Sequence, residues 1–260
     1  MPETASRNSS TATSSGCHQS SSASGLRPGT GAASPRPHRF QSRIGVGLAG
    51  GFYPTPHRYD LYLSASCPGS LRISITLDLL GLKDSVATTL LTHPAETPEA
   101  FASLRGAYEA TVHHYDGPLT APALRDRWSG RIVSNDTADI LCDLAGLLSG
   151  HDGACPSALN PPALAPDIDV LRDLLDRDVT PAAQSSGRAA ALSLLDRQLA
   201  TSPYALGEDL TAADVDLWVA LVHLGPAGTL CSYPRLRDYV SRLGEHPAFE
   251  GRNEALSDAA

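Results

Sequence analysis

The segment "RYDLYLSASCPGSLR", residues 58–72, contains a strand, a sharp turn and the start of a helix. Apolar residues alternate over 59–64, which is the period of a half-buried strand. Pro68 suits the first position of a helix, and Cys67 immediately precedes it. The unpaired amides and the positive end of a helix dipole stabilise an anion at that place. Cys67 is therefore a candidate reactive thiolate, with a buried structural cysteine as the alternative.

Hydrophobic periodicity predicts an alternating strand and helix order after this segment. Leu71, Ile75 and Leu79 share one face of the first helix, and Gly81 ends it. The following patterns predict a strand at 85–91, a helix near 98–110, an extended segment at 115–126 interrupted by Pro122, a hairpin turn with a short strand at 127–133, and a capped helix at 134–148. The first part of the chain therefore has the order β-α-β-α-β-β-α.

The second part of the chain has a different character. A Gly- and Pro-rich linker is followed by four predicted helices at 167–178, 182–200, 211–224 and 235–243. "TAAD", from Thr211 to Asp214, has the spacing of a helix N-terminal capping box, and Trp218 and Leu221 behind it are predicted core residues. The expected organisation is a tail (1–42), an α/β domain (43–150), a linker (151–166), a helical-bundle domain (167–250) and a flexible end (251–260).

The tail at 1–42 is rich in Ser, Thr, Gly, Pro and Arg and has few apolar residues. Such a composition buries too little apolar surface to offset the entropy of ordering, so disorder is expected. An organellar targeting segment is the alternative, because the stretch is also poor in acidic residues.

Charge and cysteine usage exclude several classes of protein. The chain has 28 acidic and 20 basic residues, and residues 1–59 hold six arginines and one acid, so the remainder has 27 acids against 14 bases. An acidic globular part argues against nucleic acid and anionic membranes as partners. Five scattered cysteines without metal-ligand spacing argue against a metal site and for a reducing compartment, which predicts a cytoplasmic protein.

Four stretches give the chain a resemblance to a known family. They are "RYDLYLSASCPGSLR" (58–72), "YDGPLTAPALRDRWSGRIVSNDTADIL" (115–141), "YALGEDLTAADVDLWVALV" (204–222) and "YPRLRDYV" (233–240). A β-α-β-α-β-β-α unit with Cys-Pro at its first helix resembles a thioredoxin-like domain, and the added helical domain resembles the glutathione transferases. The cysteine-type omega and xi classes, which include the glutathionyl-hydroquinone reductases, match best.

The resemblance implies a thiol site at named positions of this sequence. Cys67 would be the nucleophile, and Pro122 would be a cis-proline that exposes the backbone of Ala121 to a bound thiol. Asp136 and Thr137 would bind the amine and carboxylate of a γ-glutamyl group, and Arg72 matches a basic residue that follows the cysteine motif. The implied cosubstrate is glutathione or another low-molecular-weight thiol, with no metal. An electrophilic aromatic compound would be the second substrate, and the resemblance also allows a homodimer.

The implied function is a thiol-dependent transferase or reductase that acts on thiol conjugates of aromatic or quinone-like molecules. The sequence departs from the reductases where Gly69 and Ser70 replace the Trp-Ala that follows Cys-Pro, and the family's substrate-binding tyrosines have no evident match. Two alternatives therefore stay open. One is a tailoring enzyme of secondary metabolism that performs conjugation or isomerisation, and the other is a non-catalytic binding protein.

Overall fold

The computed structural model describes residues 38–45, 51–92, 94, 96–145, 159–224 and 227–252. Most of the predicted tail (1–37), half of the predicted linker (151–158) and the chain end (253–260) lie outside the described residues. Among the helices that are described, none is both long and apolar enough to cross a membrane.

The first domain has the predicted element order. Strand β1 (Tyr59–Ser64) is followed by α1 (Pro68–Leu79), β2 (Ala87–Leu91), α2 (Pro98–Thr111), β3 (Ala123–Asp126), β4 (Ile132–Ser134) and α3 (Thr137–Asp143). The strands form one sheet in the order β2-β1-β3-β4. β1 pairs with β2 in parallel, and β3 is antiparallel to both β1 and β4. The predicted thioredoxin-like fold is confirmed.

The sheet is buried on both faces because its strand residues alternate between two apolar clusters. Tyr59, Leu61 and Leu63 pack with Ile73 and with other apolar residues of α1 and α3 on one face. On the other face, the intervening residue Tyr62 joins the cluster that contains Leu104 and Tyr108 of α2. The sheet therefore lies between α1 and α3 on one side and α2 on the other.

Helix α1 also contributes to a second core. Its residues Ile73 and Leu77 face the sheet, whereas Leu71 and Ile75 belong to the apolar cluster of the helical domain, with Leu79 packed against that cluster. The periodic face that predicted α1 is therefore the face that the second domain covers.

The second domain consists of four α-helices and a short 3-10 turn among the residues described. They are α4 (Ala165–Asp178), α5 (Ser185–Gln198), α6 (Ala212–His223), the 3-10 turn (Ala227–Leu230) and α7 (Pro234–Gly244). The capping box between Thr211 and Asp214 is present at the start of α6, and Trp218 and Leu221 are buried as predicted. The predicted helical second domain is confirmed.

The N-terminal segment differs from the expectation at the end of the predicted tail. Gln41 forms a bridge with Ser134, and the amide of Ser42 donates to the Val133 carbonyl, so the segment lies along β4. Phe40 and Ile44 are buried. Residues 40–42, at the end of the predicted tail, therefore lie against the first domain. An isolated apolar residue such as Phe40 gives no periodic signal in the sequence but is buried beside the sheet.

Helix α3 also differs from its prediction. The α-helical stretch ends at Asp143, and residues 144–145 continue in a wider turn. Residues 146–150, to which the predicted helix extended, lie outside the described part of the chain.

A buried ion pair holds the hairpin between β3 and β4 against β1. Arg58 donates from Nε and Nη2 to the two carboxylate oxygens of Asp126 at 2.7 and 3.1 Å, and the two side chains are 5% and 1% exposed. Burial tends to raise the pKa of Asp126, but hydrogen bonds from Arg58 and Ser129 outweigh it, so the pKa is lowered. This contribution to stability is therefore complete at neutral pH and is lost in acid, as the pH falls below the ordinary carboxyl range.

Replacing Arg58 by Met should lower the free energy of unfolding by about 3–5 kcal/mol, because the Asp126 carboxylate would stay buried without its cation. Urea unfolding at pH 7 measures this change. The matched control is Arg237→Met, which removes an arginine whose ion pair with Asp238 is exposed on both sides, and it should cost less than about 1 kcal/mol. Equal effects of the two substitutions would contradict the argument.

Candidate functional site

Cys67 occupies the N-cap position of α1. Its backbone is extended (φ −96°, ψ 120°), Pro68 is the first helical residue, and the Cys67 carbonyl accepts from the Leu71 amide. The thiol is partly exposed and lies 3.6 Å from the Ala121 carbonyl oxygen, to which it donates. The predicted position of Cys67 at the start of a helix is confirmed.

Sheet register brings the segment around Pro122 to the same place. Tyr62 near the end of β1 pairs with Ala123 at the start of β3. Because the strands are antiparallel, the residues that precede β3 lie beside the turn that follows β1. The peptide bond between Ala121 and Pro122 is cis, as the sequence predicted.

A second helix N-terminus completes this corner of the domain. Asp136 is the N-cap of α3, and its carboxylate accepts from the amides of Ala138 and Asp139. The guanidinium of Arg39 lies 3.9 Å from the same carboxylate. Thr137 is the first residue of the helix.

All six predicted site residues line one cleft of about 460 Å³. They are Cys67, Arg72, Ala121, Pro122, Asp136 and Thr137. The fold therefore brings together residues that are up to 70 positions apart in the chain, although the geometry does not assign them roles.

The cleft also contains residues that sequence reasoning missed. They are His38, Arg39, Thr120, Asn135, Ala138, Leu141, Arg172 and Asp176. Asn135 is the most connected of these residues: its side chain accepts from the Phe40 amide and donates to the His38 carbonyl and to the hydroxyls of Tyr108 and Thr120. The sequence signal that could have identified Asn135 is its position next to Asp136.

Arg72 forms ion pairs with the second domain. Its Nε lies 3.2 Å from Asp216 of α6, and its Nη2 lies 3.5 Å from Asp176 of α4. Asp216 also accepts a hydrogen bond from Arg172 Nε at 3.1 Å and forms an ion pair with Arg172 Nη2 at 2.9 Å. Burial raises the pKa of the Asp216 carboxyl, although both guanidinium groups act to lower it. Arg72 therefore lines the cleft as predicted, but as part of an interdomain ion cluster.

Within the described ranges of the chain, no group of three His, Cys, Asp or Glu side chains is arranged to hold a metal ion.

Comparison with known proteins gives matches over most of the chain. Residues 182–242 match the family model of the glutathione S-transferase C-terminal domain. The chain is 28% identical over 228 residues to the glutathionyl-hydroquinone reductase YqjG of Escherichia coli, which covers 75% of this chain and 69% of the relative.

Two solved structures have the same architecture. The xi glutathione S-transferase of Phanerochaete chrysosporium aligns with a TM-score of 0.69 at 24% identity, covering 86% of this chain and 91% of that chain. The glutathione-bound structure of YqjG from Escherichia coli aligns with a TM-score of 0.70 at 23% identity, covering 85% and 87%. The sequence and the fold of this chain are therefore similar to those of the glutathione transferase superfamily, and in particular to the xi class and the glutathionyl-hydroquinone reductases.

Proposed function

We propose that this protein is a glutathione-dependent transferase or reductase that uses Cys67 as its nucleophile. The observation that carries the proposal is the convergence of Cys67, the Ala121–Pro122 peptide and the N-terminus of α3 on one cleft. A thiolate is stabilised at a helix start, and the neighbouring groups offer the hydrogen bonds that a thiol peptide needs.

The cleft residues just before β3 and at the start of α3 suit the body of glutathione. The backbone at Ala121 would pair with the cysteinyl part of the ligand. Asp136 would bind the γ-glutamyl ammonium group, and the Thr137 hydroxyl would donate to the adjacent carboxylate. The named relatives are glutathione-linked, which supports glutathione as the cosubstrate. Another low-molecular-weight thiol with the same γ-glutamyl group would fit the same contacts.

The proposed reaction proceeds in two thiol-exchange steps. The Cys67 thiolate attacks the glutathione sulfur of an aromatic conjugate, so that an S–S bond forms, the C–S bond breaks and the aromatic carbon takes a proton. A second glutathione thiolate then attacks the mixed disulfide, which releases glutathione disulfide and restores the Cys67 thiolate. The aromatic carbon is reduced by two electrons, and the glutathionyl sulfur of the conjugate and one free glutathione thiol become one disulfide.

The second thiol must come from solution in this scheme. Ser70 lies three residues after Cys67, where a dithiol enzyme has its resolving cysteine. Ser70 is buried, and its hydroxyl oxygen accepts from the Ser64 amide at the end of β1. The residue therefore has a structural role in joining α1 to the sheet.

An electrophilic aromatic or quinone-like conjugate is the proposed acceptor. A cytoplasmic location and a homodimer belong to the same proposal.

A binding protein without catalysis is the second candidate. Gly69 favours it, because the reductases have a tryptophan after Cys-Pro.

Gly69 is closely packed against the proposed thiol site. A Cβ atom at this position would lie 2.4 Å from the Thr137 hydroxyl oxygen and 3.4 Å from its methyl carbon. Thr137 therefore occupies the space in which a side chain at residue 69 would begin. This departure from the reductases changes the shape of the site, and Cys67 stays partly exposed.

Cys67 should react with iodoacetamide at pH 7 about tenfold faster than Cys142 and Cys231, because the amides at the start of α1 stabilise its thiolate. Mass spectrometry of each cysteine over time measures the three rates. Cys142 and Cys231 are more exposed, so accessibility alone predicts the opposite order. Cys67→Ser should abolish reduction of a glutathionyl-hydroquinone and leave thermal unfolding unchanged. A slow Cys67 together with no turnover would favour the binding-protein candidate. An active Cys67→Ser protein would exclude Cys67 as the nucleophile.

Asp136→Asn should weaken glutathione binding by about 1–3 kcal/mol, because it removes the charged partner of the ligand's ammonium group. Asparagine is as good an N-cap as aspartate, so the helix should stay intact. Calorimetric titration with glutathione measures the loss. Asp139→Asn is the control: it removes the same charge from the same helix outside the residues that line the cleft, and its affinity should match that of the unmodified protein. Unchanged binding by Asp136→Asn would remove Asp136 from the site.

Gly69→Ala should lower the free energy of unfolding by about 1–3 kcal/mol, because the added methyl group overlaps Thr137. The double variant Gly69→Ala/Thr137→Ala should recover most of that loss, since it removes both atoms that crowd the new side chain. Urea unfolding of the two single variants and the double variant forms a double-mutant cycle. A coupling free energy near zero would show that Gly69 and Thr137 do not pack as described.

A further inference from the structure

The cleft that contains Cys67 is also lined by two arginines from different domains. Arg72 lies on α1, about one turn after Cys67, and Arg172 lies on α4. Both side chains line the same cleft as Cys67 and are largely buried. None of the thiol contacts proposed above requires either of them.

Asp216 contacts both guanidinium groups. Its carboxylate is 3% exposed and contacts Arg72 through one oxygen and Arg172 through the other. The hydrogen bond from Arg172 Nε to this carboxylate orients the Arg172 guanidinium, whereas Arg72 Nε lies at ion-pair distance from Asp216 and has no hydrogen-bond partner among the described residues. Asp216 itself is not among the residues that line the cleft.

The carboxylates that pair with the two arginines differ in burial. Asp216 is buried, whereas Asp176, which also lines the cleft, and Asp169 are 61% and 75% exposed. Water and salt therefore screen the two exposed carboxylates more strongly than Asp216. Each guanidinium has five N–H donors. Arg72 contacts these carboxylates through two nitrogens and Arg172 through three, so each guanidinium keeps donors for a ligand.

We propose that Arg72 and Arg172 form an anion-binding subsite in the acceptor half of the cleft, so that the acceptor is an aromatic compound with an acid group, such as a ring carboxylate. The inference rests on the proposed function, because it takes the Asp136 side of the cleft as the thiol half. Planar guanidinium groups suit a carboxylate better than a neutral ring substituent. In a chain of net charge −8, a local pair of cations favours the binding of an anion.

The competing explanation is that the cluster only ties the two domains together. On that explanation, removing an arginine changes stability but does not change how the cleft discriminates between charged and neutral molecules. A test therefore has to measure discrimination by charge, at Cys67, in protein that is still folded.

Alkylation by iodoacetate and by iodoacetamide gives that measurement without turnover. Both reagents react with the thiolate, so the ratio of their rates at Cys67 is independent of the thiolate fraction and reports the charge around the sulfur. Arg172→Gln should lower the ratio about three- to tenfold, as expected for loss of one charge within a cleft. Arg172→Lys should keep most of the ratio because it keeps the charge.

Two controls make the alkylation result decisive. Arg237→Gln changes the net charge equally at an exposed position and should leave the Cys67 ratio unchanged. The ratio at exposed Cys231 should be the same in every variant. A ratio at Cys67 that is identical in Arg172→Gln and unmodified protein would overturn the subsite, and circular dichroism would confirm that the compared proteins are folded.

Turnover of matched acceptors separates this inference from the proposed function. The substrates are S-glutathionyl-hydroquinone and the same compound with a ring carboxylate. The carboxylated compound should have a kcat/KM at least fivefold higher, and Arg172→Gln should remove that preference, whereas Arg237→Gln should keep it. Equal turnover of both compounds by the unmodified protein would overturn the subsite and leave the proposed function standing. Turnover of neither compound would overturn the proposed function, and the alkylation ratio would still decide whether the cleft selects anions.

Discussion

The packing of α1 between two cores is the constraint on which the rest of the structure depends. Ile73 and Leu77 are buried against the sheet, and Leu71 and Ile75 are buried against the helical domain. A helix that is apolar on opposite faces can be stable only when both are covered. The two domains therefore fix the axis of α1 together, and with it the position of Cys67 at its first turn.

The cleft lies where α1, β3 and α3 begin. α1 and α3 both start there, so the positive ends of both helix dipoles lie at the cleft, and in α3 the Asp136 carboxylate already accepts from two of the first amides. The antiparallel pairing of β1 with β3 brings the Ala121–Pro122 peptide to the same corner. Backbone groups thus make the site suited to anionic sulfur and carboxylate groups before any side-chain charge is counted.

The helical domain adds charged side chains to the cleft. Asp216 and Arg172 come from α6 and α4, and they meet Arg72 across the boundary between the domains. Burying three ionic groups costs free energy of desolvation, and apolar replacements of similar volume are often at least as stable. A functional use of the cluster explains its presence better than stability does, and its position beside Cys67 agrees with that view.

The sequence by itself determined the order of elements, the cap positions of Cys67 and Asp136 and the capping box of α6, because each depends on residues within one or two turns of one another. The cis-proline at Pro122 came from the resemblance to a family and not from a local pattern. Tertiary structure alone decided which face of α1 meets which core, that Phe40 packs against the first domain, and that Arg72 shares Asp216 with Arg172. Phe40 contacts Asn135 and Arg72 contacts Asp216, 95 and 144 positions further along the chain, and local patterns contain no information about such contacts. The six predicted site residues meet in one cleft only because sheet register and helix packing bring them together.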